Sequence, residues 1–175
     1  MSKKFKAVVI DNQNEKFTRE IKELSTDDLK DGNVLVKIDY SSLNFKDALI
    51  LNNGGRIVRK YPFVPGIDFS GIVEESEDNK FKKKDKVILT GFRVGEMYFG
   101  GFSQYAKVNS DFLVKIPNDL DSLKAMKMGT AGLTALLCAF AVKAKEELLM
   151  GTKVKDVLVT GATGGVGSFA VMALS

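Results

Sequence analysis

A glycine-rich turn near the end of the chain places the strongest constraint on the fold. Residues 157–160 are apolar or β-branched ("VLVT"), four glycines follow within residues 161–167, and "VGSFAVMAL" at 166–174 has the composition of a helix. This order predicts a buried strand, a tight turn and a helix. Such a unit usually opens a nucleotide-binding α/β fold, but here a long and mostly strand-like sequence comes first.

Glycine is needed in this turn because a Cβ atom would hold the backbone away from a pyrophosphate. The helix N-terminus offers free N–H groups and a partial positive charge to phosphates. A Walker loop is excluded, since no Gly-Lys-Ser/Thr follows. The spacing also fits the motif of short-chain dehydrogenases, but there the motif opens the chain; a glycine turn without a ligand stays open as an alternative. We expect dinucleotide contacts from Gly161, Thr163, Gly164, Gly165, Val166, Gly167 and Ser168.

The chain is too short to complete a dinucleotide-binding domain. Such a fold needs roughly two βαβαβ halves, and the glycine turn is accompanied here by one predicted strand and the start of one helix. We therefore expect an N-terminal fragment of a protein about twice as long, with a first domain at 1–120 and an incomplete nucleotide-binding domain at 121–175. The residue that chooses between NAD and NADP would follow about 20 residues further on, beyond Ser175.

Short strands broken by turns are predicted before Pro117. Close spacing of such stretches favours a sandwich or barrel, with one short helix around "NFKDALIL" at 44–51. After Pro117 the frequent Ala, Leu and Met favour helix, with a break at Gly129 and Gly132. The second helical piece is apolar nearly all round, so we expect it to be buried. The predicted strands lie within 6–10, 17–24, 33–43, 66–75, 85–91, 100–108 and 112–117.

Histidine is absent, and Cys138 is the only cysteine. Zinc sites need several His or Cys ligands and a catalytic triad needs an imidazole base, so the composition argues against both. A lone cysteine excludes an internal disulfide and favours a reducing, cytoplasmic compartment; we expect it to fill the core. The N-terminus has no apolar stretch of signal-peptide length, and nowhere do eighteen apolar residues run together.

The lysine-rich stretch "KFKKKDK" at 80–86 stands out in a chain with a net charge of +4. Such a run invites a nucleic-acid interpretation. No interleaved aromatic residues or recognition-helix pattern surround it, and a solvated turn between strands also uses such residues. We therefore expect a turn, and binding to nucleic acid is not favoured.

Five sequence blocks together resemble the medium-chain dehydrogenase/reductase superfamily. The match is to its zinc-free, quinone-oxidoreductase-like branch and, within that branch, to the acryloyl-CoA reductases. The resemblance implies a mixed α/β protein in which a β-rich GroES-like barrel precedes a Rossmann domain. The blocks are "SSLNFKDAL" (41–49), "FVPGIDFSGIV" (63–73), "LTGFRVGEMYFGGFSQYAKV" (89–108), "KAMKMGTAGLTALLC" (124–138) and "VTGATGGVGS" (159–168).

The resemblance also implies a reaction. NADPH would reduce an activated C=C bond, with acryloyl-CoA going to propionyl-CoA as the leading case, in a homodimer. Zinc enzymes of the superfamily carry Cys in the first block and Gly-His-Glu in the second, whereas this chain has Asn44 and Gly66-Ile67-Asp68. No metal ligand set is therefore expected. Alternatives are a quinone or enal reductase of the same branch, or a non-catalytic relative that binds NADPH and RNA.

The matched blocks supply the candidate site residues. Asn44 and Asp47 are the catalytic candidates: Asn44 as a hydrogen-bond donor to the developing oxyanion, Asp47 as the residue that orients Asn44 or a lysine. Both residue types are also common helix-start residues, which leaves a purely structural role open. Phe45 and Thr130 are expected near the nicotinamide; Phe45 stands where close relatives have a tyrosine, so no acid role is inferred. Asp68 is expected to be a strand-end residue rather than a carboxylate of the cleft.

Overall fold

The computed structural model describes residues 2–13, 16–53, 57–148 and 156–175. The chain divides into two compact units, residues 1–127 and 128–175. The predicted domain boundary after residue 120 stays a prediction.

The first unit contains a two-stranded hairpin and a five-stranded antiparallel sheet. The hairpin pairs β1 (Lys4–Gln13) with β2 (Lys16–Ser25). Each of the seven strands of the described residues overlaps a stretch predicted from the sequence, so the β-rich first domain is confirmed. The sheet has the order β6-β3-β4-β5-β7 and consists of β3 (Val34–Ser41), β4 (Asp68–Ser76), β5 (Lys86–Thr90), β6 (Tyr105–Val108) and β7 (Val114–Lys115).

Apolar side chains from neighbouring strands of this sheet form the main core. On β3, Val36 lies opposite Val73 of β4 on one side and Ala106 of β6 on the other. Phe69 of β4 pairs with Leu89 of β5, and its side chain is fully buried. Strand alternation directs these residues to one face, and this face is the hydrophobic interior of the unit.

The hairpin is joined to the chain around helix α1 (Phe45–Leu51) by backbone and side-chain contacts. Ile10 of β1 exchanges two backbone hydrogen bonds with Phe63, at 2.8 and 2.9 Å. The same two side chains are buried with Ile50 of α1 and Val58 in a second apolar cluster. This cluster fixes the position of α1 between β3 and β4, and with it the residues at the start of the helix.

The lysine-rich stretch 80–86 lies in the turn between β4 and β5, as expected, and its last residue, Lys86, begins β5. Phe81 is buried in the main core, whereas the Lys80 ammonium pairs with Asp111 at 2.8 Å. The backbone N–H of Lys82 donates to the Asp85 carboxylate at 2.9 Å. The charged residues of this turn are therefore in contact with solvent, and the buried side chain of Phe81 attaches the turn to the core.

Two helices follow the sheet, α2 (Ser122–Leu148) and α3 (Gly165–Leu174). The predicted break in α2 is confirmed at Gly129, whose φ of 46° and ψ of −153° are not helical. By length and composition alone, Ser122–Lys145 would suffice to cross a membrane. Core helices of water-soluble proteins pass the same test, so this property decides nothing about location.

Two expectations about the second unit are wrong. Residues 156–159 do not form a strand and Leu158 is 89% exposed, because no described strand lies beside them to pair with. The second part of α2 is not buried all round: Leu137 and Phe140 are exposed, and so is Cys138. An apolar sequence indicates that a segment favours burial. The described residues of this unit, however, do not bury these side chains.

Replacing Phe69 by Ala is expected to lower the free energy of unfolding by about 3–5 kcal/mol, because a fully buried ring leaves a cavity behind. Urea unfolding followed by circular dichroism measures this loss. Ile21→Ala on β2 is the control: Ile21 is 73% exposed, so the change should be within about 0.5 kcal/mol. Equal losses at the two positions would contradict the assignment of the core.

Candidate active site

The start of α1 is fastened by the carboxylate of Asp47. Asn44 is the N-cap residue of the helix, with an extended backbone, and Asp47 is the third helical residue. One oxygen of Asp47, Oδ2, accepts the backbone N–H of Asn44 at 2.8 Å. The other, Oδ1, accepts the backbone N–H of Ile67 at 3.0 Å. Asp47 is fully buried, so it joins the start of α1 to the residue that precedes β4.

Asp68, the first residue of β4, is a second fully buried carboxylate at the same place. Its Oδ2 accepts the hydroxyl of Ser42 at 2.8 Å, and its backbone carbonyl accepts the hydroxyl of Ser41 at 2.7 Å. The segment between β3 and α1 is thereby attached to the start of β4. Asp68 is more than a strand-end residue, and the two serines were not selected from the sequence although they stand beside Asn44.

The side-chain amide of Asn44 lies between the two carboxylates. Its Nδ2 is 3.3 Å from Oδ2 of Asp47, 3.2 Å from Oδ2 of Asp68 and 3.0 Å from Oγ of Ser42. An ionised carboxylate only accepts hydrogen bonds, so the amide must turn its N–H groups toward both carboxylates. In this geometry the N–H groups of Asn44 face the two carboxylates, and a role of Asn44 as a donor to a substrate oxygen stays a prediction.

Burial raises the pKa of Asp47, and the negative charge of Asp68 raises it further. The hydrogen bonds from Asn44 and Ile67 act in the opposite direction, since they stabilise the ionised form. Two acidic side chains are thus held close together by neutral donors, and Asp47 retains a proton more readily than an exposed aspartate does.

Two exposed apolar side chains flank the buried network. Leu43 is 72% exposed and Phe45 is 80% exposed, on either side of Asn44 in the sequence. Exposed apolar groups beside a buried polar network often mark a ligand-binding surface. Phe45 was selected from the sequence as a cofactor contact, whereas Leu43 was not; its signal is the alternation of polar and apolar residues in "SSLNF".

The residues at this place do not fit a zinc ion. No group of three His, Cys, Asp or Glu side chains that is suited to a metal occurs among the described residues. Both carboxylates already accept N–H or O–H donors, and the only cysteine of the chain is exposed on α2. Zinc prefers nitrogen and sulfur ligands in a tetrahedral set, which these side chains do not supply.

The glycine turn lies in the second unit and leads into α3. Gly161 has a φ of 62°, and its carbonyl accepts the N–H of Gly164 at 2.9 Å. A Cβ atom on Gly167 would stand 2.1 Å from the carbonyl oxygen of Gly161, so only glycine fits there. A Cβ atom on Gly164 would meet only that same oxygen, at 3.4 Å. The turn is thus closely packed on one side and open on the other.

The first N–H groups of α3 have no partner within the helix, and they face an N-cap glycine without a side chain. Val166 is partly exposed, and Thr163 lies exposed in the turn. The hydroxyl of Ser168 donates to the carbonyl of Gly165 at 3.1 Å, so α3 itself engages it. This arrangement is suited to an anion such as a pyrophosphate, because the exposed backbone carries partial positive charge.

Thr130 directly follows the break at Gly129. Its carbonyl accepts the hydroxyl of Thr134 at 2.7 Å. The next residue, Ala131, lies 3.3 Å from the position of a Cβ atom on Gly165. Within the second unit, the segment after the break therefore packs against the glycine turn. A contact between Thr130 and the nicotinamide stays a prediction.

A family model of the alcohol dehydrogenase GroES-like domain matches residues 30–118. The chain belongs to the medium-chain dehydrogenase/reductase family. The predicted combination of a GroES-like domain and the start of a Rossmann domain is thereby confirmed. Asn44, Ile67 and Asp68 stand where zinc enzymes of this family carry Cys, His and Glu, and in the structure these positions meet in one hydrogen-bond network.

Curated relatives and solved structures of the medium-chain family match nearly the whole of this chain. The chain is 50% identical to an acrylyl-CoA reductase of Ruegeria pomeroyi, over 98% of this chain and 52% of the relative. It is 42% identical to a putative quinone oxidoreductase of Bacillus subtilis, over 100% of this chain and 52% of the relative. The crystal structure of Escherichia coli YhdH with bound NADPH has a TM-score of 0.86 at 44% identity, covering 94% of this chain and 50% of that one. The chain spans about half the length of the curated relatives it matches.

Replacing Asn44 by Ala is expected to lower the free energy of unfolding by about 1–3 kcal/mol, because two buried carboxylates lose a shared donor. The loss should be larger at pH 8 than at pH 4. The side-chain donor of Asn44 lowers the pKa of Asp47, so without it the folded state resists ionisation more, and stability falls further as pH rises above about 4.

Urea unfolding of both proteins at the two pH values measures this difference. Asn118→Ala serves as the matched control, since Asn118 is exposed in the loop before α2. Its effect should be small and independent of pH. A loss at Asn44 that is equal at both pH values would show that the amide does not act on the ionised carboxylates.

Proposed function

We propose that the protein containing this chain uses NADPH to reduce an activated C=C bond, without zinc, and that acryloyl-CoA is its leading substrate. The observation that carries this proposal is the hydrogen-bond network around Asn44, at the place where zinc enzymes of the family hold their metal. A reductase of this kind adds hydride to a carbon atom, a step for which bound cofactor and positioned donors are sufficient.

The absence of zinc is supported by how the buried charges are balanced. In a zinc site, a cation compensates the carboxylate; here the N–H groups of the Asn44 amide serve Asp47 and Asp68. Asn44 and Asp68 stand where zinc enzymes carry Cys and Glu, and these two side chains are hydrogen-bonded to each other. Ile67 stands at the position of the His, and its backbone N–H donates to Asp47.

A dinucleotide cofactor is supported by the shape of the glycine turn. The N–H groups of Gly165, Val166 and Gly167 would bind the pyrophosphate, with Gly161, Thr163, Gly164 and Ser168 around it. When bound, the nicotinamide supplies the hydride. Structures of relatives hold NADP or NADPH in two cases and NAD in a third. We propose NADPH rather than NADH because the relatives whose structures hold it are YhdH proteins of enteric bacteria. One of these proteins is 44% identical in sequence to this chain.

Asn44 and Asp47 act in this proposal as positioning residues. Asp47 and Asp68 hold the amide of Asn44 inward, and this fixes the backbone from which Leu43 and Phe45 project. Phe45 would contact the nicotinamide, and the exposed side chains of Leu43 and Phe45 would exclude water from the acyl chain. The contact expected for Thr130 is a separate prediction for the second unit. The negative charge that develops on the thioester oxygen requires donors other than the Asn44 side chain.

A quinone or enal reductase is the second candidate. It is favoured by the names of several relatives, including the quinone oxidoreductase of Bacillus subtilis. The apolar surface formed by Leu43 and Phe45 suits a planar ring as well as an acyl chain. A homodimer and a cytoplasmic location stay predictions.

The first test follows the absorbance of NADPH with the full-length natural protein. We expect oxidation of NADPH with acryloyl-CoA to exceed that with benzoquinone or a simple enal at equal concentration. Prior treatment with a metal chelator should leave the rate unchanged, since no step requires a metal ion. A faster rate with quinones would favour the second candidate, and a rate abolished by the chelator and restored by zinc would refute the proposal.

Gly164→Ala distinguishes a phosphate-binding turn from a turn without a ligand. The added Cβ has room within the chain, with its nearest contact at 3.4 Å, so the melting temperature should stay the same. It would, however, stand between the turn and a bound pyrophosphate, so the dissociation constant for NADPH should rise about tenfold or more. Fluorescence titration measures both proteins. Unchanged affinity would mean that the pyrophosphate does not lie against this glycine.

A further inference from the structure

A hollow of the first unit is lined by residues that do not belong to the Asn44 network. It has a volume of about 240 Å³, and cationic and apolar side chains line it. The buried ring of Phe63 forms part of its wall, together with Ile57 and Met97. Arg59, Lys60 and Arg93 also line it, and the proposed reaction does not use these three side chains.

The positive charge around this hollow exceeds the negative charge. Glu96 is the acidic residue of the lining, and its side chain is only 15% exposed. It binds the Lys46 ammonium at 2.7 Å and lies 3.7 Å from Nε of Arg93. Arg59 and Lys60 form no ion pair with any residue that the structure describes. The lining thus contains three cations and one carboxylate, and that carboxylate is also paired with Lys46.

The backbone that carries Arg93 is held in an unfavourable conformation. Phe92 and Arg93 have φ angles of 51° and 61°, in the left-handed region that side chains other than glycine rarely adopt. The ring of Phe92 stacks on Phe112 at 4.8 Å, and the carbonyl of Arg93 accepts the N–H of Met97 at 2.9 Å. Such strain persists only where surrounding contacts enforce it, and it is concentrated at functional sites.

We propose that this hollow binds the phosphorylated adenosine of a coenzyme A thioester. This inference rests on the proposed function and identifies its substrate as a CoA ester rather than a free enal. The apolar wall suits the adenine ring, and Arg59, Lys60 and Arg93 suit the phosphates, since guanidinium and ammonium groups bind phosphate by charge-assisted hydrogen bonds.

The position of the hollow relative to α1 supports this assignment. Lys46 lies between Phe45 and Asp47 in the first turn of α1, and its ion pair with Glu96 connects that turn to the wall of the hollow. In the proposal, the other end of a ligand held by the cations reaches the side of α1 where Leu43 and Phe45 are exposed. The flexible pantetheine arm of CoA is suited to such a path between a phosphate site and a reaction site.

Adenosine phosphates occur in both CoA and NADPH, so the test must separate these two sources. In the full-length natural protein, Arg59→Gln combined with Lys60→Gln should raise the KM for acryloyl-CoA about tenfold with little change in kcat. The KM for acryloyl-pantetheine, which lacks the phosphates, and the dissociation constant for NADPH should stay within about twofold. Lys82→Gln combined with Lys83→Gln is the matched control, because it removes the same charge from the turn between β4 and β5.

Binding of adenosine 3′,5′-bisphosphate, measured by calorimetry, gives a readout that does not depend on turnover. The Arg59/Lys60 variant should bind it about tenfold more weakly, and the Lys82/Lys83 variant should bind it like the natural protein. If the bisphosphate binds in this way but no enoyl-CoA is reduced, the hollow is confirmed and the proposed function fails. If acryloyl-CoA is reduced with an unchanged KM in the Arg59/Lys60 variant, the function stands and the inference is overturned. Weaker NADPH binding in that variant would also overturn it, because the hollow would then serve the dinucleotide.

Discussion

The amide of Asn44, held between the carboxylates of Asp47 and Asp68, is the interaction on which the local structure depends. Two fully buried acidic side chains in one place are costly unless donors satisfy them. Here the donors are the side chain of Asn44, the backbone of Ile67 and the hydroxyl of Ser42. These bonds attach the end of β3, the start of α1 and the start of β4 to one another, so the exposed positions of Leu43 and Phe45 follow from a buried electrostatic requirement.

Two apolar clusters and one polar network stabilise different parts of the first unit. The main cluster forms the sheet interior, and the second joins the hairpin to α1 through Ile10, Ile50 and Phe63. The polar network lies at the strand ends, where the sheet needs no further pairing. The cation-lined hollow uses the same scaffold from another side, with Lys46 and Glu96 as the connection. A rigid scaffold that carries variable side chains at its surface is a general way to build a binding site.

Sequence reasoning was sufficient for the strands because alternation and turn residues act locally. It also selected Asn44, Asp47 and the glycine turn, through residue types at positions characteristic of a family. It did not predict the contact between the Asn44 amide and Asp68, because Asp68 is distant in sequence and close in space. It also predicted a strand at 157–160 and a buried Cys138, since apolar patterns show what a segment favours and not which neighbours are present to pair with it or cover it.

The donors that satisfy Asp47 and Asp68 come from the polypeptide itself: the amide of Asn44, the hydroxyl of Ser42 and the backbone N–H of Ile67. These hydrogen bonds form as the chain folds. Under the proposed zinc-free function, the protein would therefore mature without a step that delivers a metal ion, and its production would not depend on the supply of zinc.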